Sequence, residues 1–312
     1  LNLERKQGRI MAIAKFGRLI TAMITPFKEN GDVDYDSATA LAKYLIHHGS
    51  EGILVGGTTG EGATMSSDEK LKLYEVIVHA VSKYGTDIKV PIMGNVGTIS
   101  TAETIDFMKK AEKTGIDALL AIVPFYVKPN QEGIFQHFKT IASATKLPVI
   151  LYNVPGRVGT SILPETIKRL TDVCPNIVGI KDATGSWDQL TRERLLLSDD
   201  FMIYSGDDAF TLPVLSMGGV GLISVASHII GDDLLKMIEA FEKGNLSLAR
   251  RLHLKMYNFM KGMFFTASPI PIKTAVNLIG QPGGAFRLPM VPPSKDELNK
   301  IRQMLKDYGI IV

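Results

Sequence analysis

Eight short apolar runs, each followed by a stretch with helical signals, restrict the fold of this chain more than any other feature. They lie at 18–26, 52–56, 90–94, 117–123, 148–152, 176–181, 201–205 and 219–225. Nearly continuous runs of Ile, Val, Leu, Ala and Met belong to strands covered on both faces, as in a parallel sheet. Between them the spacing predicts helices over 35–48, 66–83, 100–114, 130–145, 164–172, 186–197, 208–217 and 232–242. Their ends are punctuated as helix ends should be. Ser66 or Ser67 caps a helix with Asp68 and Glu69 in its first turn, Pro164 opens another, and Gly49 and Gly115 close two more. Eight such units in about 225 residues match a (β/α)8 TIM barrel. A doubly wound open sheet is the runner-up, but it normally carries a dinucleotide fingerprint after its first strand, where this chain has Thr25-Pro-Phe27. After Gly244 only helices are expected, at 246–264, 272–278 and 295–308. The division is therefore an N-terminal extension over 1–18, a barrel over 19–243 and a C-terminal helical region over 244–312.

Several function classes are excluded at this level. The net charge is only +3 and no basic block stands out, so nucleic acid is not an expected partner. No apolar run reaches the ~18 residues of a membrane span, and residues 10–14 are too few for a signal peptide core. Cys174 is the single cysteine, which fits a reducing cytoplasm and no disulfide framework. The histidines show no HExxH spacing and there is no CxxC, so no metal is expected.

In barrels of this kind the chemistry lies at the C-terminal strand ends and the loops beyond them. The residues there are Thr58-Thr59, Pro124-Phe-Tyr126, Tyr152 with Asn153-Val-Pro-Gly-Arg157, Lys181, and Gly206-Asp207-Asp208. Lys181 closes an apolar strand, and an amine so placed is poorly solvated. Desolvation lowers a lysine pKa and makes the amine a carbonyl nucleophile and Schiff-base former. Alternation places Ile177, Gly179 and Lys181 on one face, with Gly179 leaving room for a ligand beside the amine. The bland reading is a strand-end lysine that snorkels to water. Tyr152, on the neighbouring strand, is a candidate acid/base or a rim tyrosine over the core. Thr58 and Thr59, among glycines, form either a carboxylate cradle or a plain turn. Arg157 is a carboxylate clamp or a solvated loop residue. Asp207 and Asp208 are read as caps of the helix that follows.

Gly57-Thr-Thr-Gly-Glu61, Tyr152-Asn-Val-Pro-Gly-Arg157 and Gly179-Ile-Lys-Asp-Ala-Thr-Gly185 together resemble the dihydrodipicolinate synthases. The resemblance extends from about Phe16 to the C-terminus and includes Ser268-Pro-Ile-Pro-Ile-Lys273. It implies a metal-free class I condensation of pyruvate with L-aspartate 4-semialdehyde, giving 4-hydroxy-tetrahydrodipicolinate for lysine and diaminopimelate synthesis. No cofactor is implied beyond the covalent pyruvate imine on Lys181. In this scheme Tyr152 shuttles protons, and Thr58 links it to Tyr126 of a neighbouring subunit. Thr59 holds the pyruvate carboxylate, Gly206 and Ile223 line the pocket, and Arg157 binds the aldehyde substrate. A cytoplasmic homotetramer built from dimers is implied as well. Departures are Phe125, where many members have tyrosine, and Val127-Lys128. N-acetylneuraminate lyase and the 2-keto-3-deoxy sugar-acid aldolases share the lysine and tyrosine in looser motifs, and Arg157 discriminates against them. A non-catalytic barrel sensor is a more distant alternative.

Overall fold

The computed structural model describes residues 15–82 and 89–311. Eight parallel strands pair in chain order and close on themselves, β1 against β8. They are β1 (Leu19–Ala22), β2 (Gly52–Val55), β3 (Ile92–Asn95), β4 (Ala118–Ile122), β5 (Val149–Asn153), β6 (Ile177–Asp182), β7 (Met202–Ser205) and β8 (Gly221–Ser224). The chain is thus a (β/α)8 TIM barrel, and the open-sheet alternative falls. The surrounding helices are α1 (Tyr35–His47), α2 (Ser67–Ser82), α3 (Thr101–Ala111), α4 (Gln131–Ser143), α5 (Pro164–Val173), α6 (Trp187–Leu196), α7 (Thr211–Ser216) and α8 (Ser227–Glu242). Strand residues are almost all buried, as expected of a sheet with side chains inside and helices outside.

Local chemistry sets the element ends. Ser66 and Glu69 form a reciprocal cap on α2, with Glu69 N donating to Ser66 Oγ (3.1 Å) and Ser66 N to the Glu69 carboxylate (2.8 Å). The expected end of this helix at Lys83 lies outside the described residues. Residues 1–14 of the expected extension also lie outside them. Phe16 is buried, and Arg18 pairs with Glu51 and Glu242.

Three expectations need correction. α8 begins at Ser227, five residues before the predicted start, and continues through a kink at Ile230 (φ −118°, ψ 29°). Its first turn is held inside the barrel mouth by buried His228, which donates from Nδ1 to Val225 O (2.8 Å) and accepts from Ile24 N (3.0 Å). On β6, Val149 pairs with Ile177 but Ile150 with Gly179, so Val178 is an inserted residue and strict alternation holds only from Gly179 onward. Gly179 leaves no room for a ligand: a Cβ there would stand 2.6 Å from Met202 O and 3.1 Å from Ile150 Cδ1, so the glycine serves strand packing.

The C-terminal region is α9 (Leu246–Gly262), α10 (Ile270–Leu278) and α11 (Lys295–Tyr308). α9 packs on α8, and α11 packs on both α9 and α10. Ser294 and Glu297 form the capping box of α11. α10 is buried along nearly its whole length, from Ile270 to Val276. Pro271 sits in its first turn, where a missing N–H costs nothing, and the helix starts at Ile270 directly after Pro269.

Candidate active site

Tyr152 and Lys181 are direct register partners on β5 and β6. Partners in a parallel pair share a face, so the two side chains meet, and Lys181 Nζ lies 4.5 Å from the centre of the Tyr152 ring. Both side chains are buried, Lys181 being 5% exposed. The snorkelling alternative is therefore excluded. Burial lowers the Lys181 pKa from 10.5 to about 8. Asp208 opposes that shift and Arg157 adds to it. Such a shift reflects about 3 kcal/mol of differential solvation and raises the neutral fraction at pH 7.5 from roughly one in a thousand to about a quarter. β6 runs one residue past the lysine, and Asp182 pairs in register with Asn153.

Burial raises the Tyr152 pKa, whereas the charge of Arg157 and a hydrogen bond with Thr58 lower it. The phenol is therefore protonated at neutral pH and coupled to a hydroxyl that can pass its proton on. Arg157 is exposed, on a single helical turn (Pro155–Val158) that the sequence did not announce. Its charge acts on both Tyr152 and Lys181, which puts a cation at the mouth of the site without burying it.

Thr58 and buried Thr59 lie in the turn after β2. The turn is compressed: Gly62 approaches so closely that a Cβ would stand 1.9 Å from Gly56 O, and Glu61 has a left-handed φ of 52°. The device that fixes it was missed in the sequence reading. Lys273, 0% exposed, reaches from α10 to Glu61 Oε1 (2.6 Å) and Thr25 O (2.8 Å). Thr25 in turn donates to Gly60 O (2.7 Å). A buried ion pair thus anchors the threonine turn to the C-terminal region.

Gly206 N donates to Asp182 O (2.6 Å), and a Cβ at Gly206 would meet Ala183 Cβ at 2.7 Å. Ile223 is buried on β8 beside its register partner Ile20. Of the two aspartates after β7, only Asp207 caps the following turn, accepting from Ala209 N (2.9 Å). Asp208 is instead 1% exposed and accepts from Ser224 Oγ, Val225 N (3.2 Å) and Ala226 N (3.3 Å). Burial lifts its pKa to about 6. It is the anion that acts on Lys181, and only its place next to a cap residue hinted at it. Tyr126 stands apart from this cluster. It is 86% exposed, with a left-handed φ of 66°, and among the described residues it makes no hydrogen bond to Thr58.

The sequence profile of the dihydrodipicolinate synthetase family matches residues 15–308. The chain belongs to that family. A 4-hydroxy-tetrahydrodipicolinate synthase of Heliobacterium modesticaldum is 46% identical over 296 residues, covering 95% of this chain and 97% of the relative. The lysine-bound dihydrodipicolinate synthase of Cyanidioschyzon merolae superposes with a TM-score of 0.91 at 44% identity, over 95% of this chain and 99% of that one. A dihydrodipicolinate synthase variant described as monomeric superposes with a TM-score of 0.90 at 38% identity, over 97% and 99%. Membership makes this chain a lyase and supports the synthase reading over the sugar-acid aldolases and over a non-catalytic barrel. Within the described residues no helix is long and apolar enough to cross a membrane.

Proposed function

We propose that this barrel condenses pyruvate with L-aspartate 4-semialdehyde through an imine on Lys181. The observation that carries the proposal is the buried Lys181 amine, with its pKa near 8, against the Tyr152 ring. The neutral amine attacks the pyruvate ketone and forms the C–N bond. The former carbonyl oxygen leaves as water, with Tyr152 delivering and collecting protons. The resulting iminium is an electron sink, so loss of a methyl proton gives an enamine without a resident cofactor or metal. The enamine carbon adds to the aldehyde of the second substrate. That substrate's amine then displaces Lys181 at the imine carbon, closing the ring and releasing 4-hydroxy-tetrahydrodipicolinate, a step towards diaminopimelate and lysine.

In this scheme the Thr59 hydroxyl and the amides of its turn hold the pyruvate carboxylate. Gly206 and Ile223 wall the pocket. Thr58 relays protons from Tyr152 to the partner subunit's Tyr126. The exposed apolar residues Tyr126, Val127 and Trp187 support association of this chain with itself, and a cytoplasmic tetramer built from dimers is the assembly proposed. Arg157 forms a bidentate pair with the carboxylate of the semialdehyde.

The test is Arg157→Ala. It should leave pyruvate imine formation mostly intact and lower kcat/KM for the semialdehyde by about 30- to 1000-fold, the loss of about 2–4 kcal/mol from a charge-assisted contact. Equal kinetics of variant and parent would reject the role. Efficient cleavage of N-acetylneuraminate by the parent would favour the sugar-acid reading.

A further inference from the structure

Behind the Lys181 strand lies a pair of buried carboxyls that the proposed chemistry does not use. Asp182 follows Lys181 on β6, and Glu193 projects from α6 with 0% exposure. Each uses one oxygen fully. Asp182 Oδ1 accepts from Thr184 N and Thr184 Oγ1, both at 2.6 Å. Glu193 Oε1 accepts from Gln189 Nε2 (2.8 Å). The second oxygens, Asp182 Oδ2 and Glu193 Oε2, are buried with no N–H or O–H donor, and the two carboxyls face one another. Two carboxylates cannot both stay ionised so close together in a dry interior, but a proton between them satisfies both oxygens at once. Arg194 also acts on Glu193, more weakly; its Nη1 and Nη2 are engaged by the carbonyls of Phe201 and Ser198, and its Nε is buried with no partner among the described residues. Arg192, on the same helix, is engaged by Glu165 of α5.

The pair joins two arms of the site. Through Asp182 it touches the strand end that carries Lys181, and Asp182 O also receives Gly206 N (2.6 Å). Through Gln189 it reaches Ile162 O (3.2 Å). Ile162 N and Ser161 Oγ both donate to Asn153 Oδ1, at 3.3 and 3.0 Å, closing the loop that starts after Tyr152 and carries Arg157. We propose that Glu193 holds a proton, donates it to Asp182 Oδ2, and is thereby a positioning residue that sets the Arg157 loop relative to Lys181. The proposal rests on the roles assigned above to those two residues.

Glutamine is the isostere of a protonated glutamate: its amide donates to Asp182 and its carbonyl still accepts from Gln189. Glu193→Gln should therefore retain kcat and both KM values within about twofold, whereas Glu193→Ala should raise the semialdehyde KM by about tenfold or more. Gln189→Leu keeps the carboxyl pair and cuts only the link to Ile162. It should raise the semialdehyde KM while borohydride trapping of pyruvate on Lys181 proceeds as in the parent, and it serves if the alanine variant does not fold. The proton itself is read from thermal unfolding. A buried glutamate with a raised pKa costs stability as pH rises above its unfolded value, and glutamine carries no such cost. Glu193→Gln should match the parent near pH 5 and melt higher than it near pH 8.

A glutamine variant that melts lower at pH 8, or behaves like alanine, would show an ionised Glu193 and overturn the proposal. So would alanine and leucine variants that lose melting temperature with unchanged kinetics. Failure of the parent itself to trap pyruvate on Lys181 would sink the proposed mechanism instead, and the melting comparison would then judge the shared proton by itself.

Discussion

Replacing Lys273 by methionine removes a charge and keeps most of the side-chain volume. The pair it breaks is closed to solvent on both sides, with side-chain exposures of 0% for Lys273 and 1% for Glu61. Breaking a buried pair by deleting one partner costs about 3–5 kcal/mol, because the remaining charge is left without compensation. Here Arg287 N still donates to Glu61 Oε2 (3.3 Å) and its guanidinium acts on the same carboxylate, which puts the expected loss near the lower limit. At about 2 cal/mol/K per residue, unfolding of 312 residues carries roughly 0.65 kcal/mol/K, so a 3 kcal/mol loss lowers Tm by about 5 °C. The second effect is kinetic. Glu61 and Thr25 hold the Thr58-Thr59 turn, so Lys273→Met should raise the pyruvate KM more than the semialdehyde KM. The double variant Glu61→Gln/Lys273→Met removes both charges, and a neutral pair of similar volume should recover most of the lost Tm. The assays are thermal unfolding and initial-rate kinetics on the single and double variants. A single variant melting within about 1 °C of the parent, or a double variant less stable than the single, would refute the reasoning.

Two further outcomes follow from the site. Imine formation should increase with pH and level off above about 8, as the Lys181 amine loses its proton; Asp208→Asn removes the anion that favours the ammonium and should move the profile to lower pH. An unmoved midpoint in stopped-flow imine formation would contradict that coupling. If Tyr126 acts across a subunit boundary, exchanging subunits between inactive Lys181→Ala and Tyr126→Phe proteins should restore activity through hybrid sites; no recovery in demonstrated mixed oligomers would return Tyr126 to its own subunit.

The barrel was legible because each of its signals is local. Strands such as 148–152 are apolar throughout, and glycine, proline or a cap residue marks each boundary. Lys181 and Tyr152 were legible for the same reason, since counting along adjacent strands brings them to one rim. What escaped was contact between distant parts of the chain. Lys273 looked like one residue of a proline-rich motif, and nothing near it in sequence names Glu61 as its partner. Glu193 drew no notice within the helix expected at 186–197, yet α6 turns it inward onto Asp182. Asp208 was misread because an acidic residue before a helix is usually a cap; the buried amides of Val225 and Ala226 that claim it belong to the far side of β8. The error at Gly179 has the same origin: its missing side chain is occupied by Met202 and Ile150 from the strands on either side.

The central claim is that Lys181 is the nucleophile, and borohydride reduction in the presence of pyruvate tests it most directly. The protein is reduced under turnover conditions, digested and mapped by mass. The account predicts that the Lys181 peptide alone gains the mass of reduced pyruvate, and that Lys181→Ala gains none. Active protein whose Lys181 peptide stays unmodified, or whose modification falls on another lysine, would contradict it.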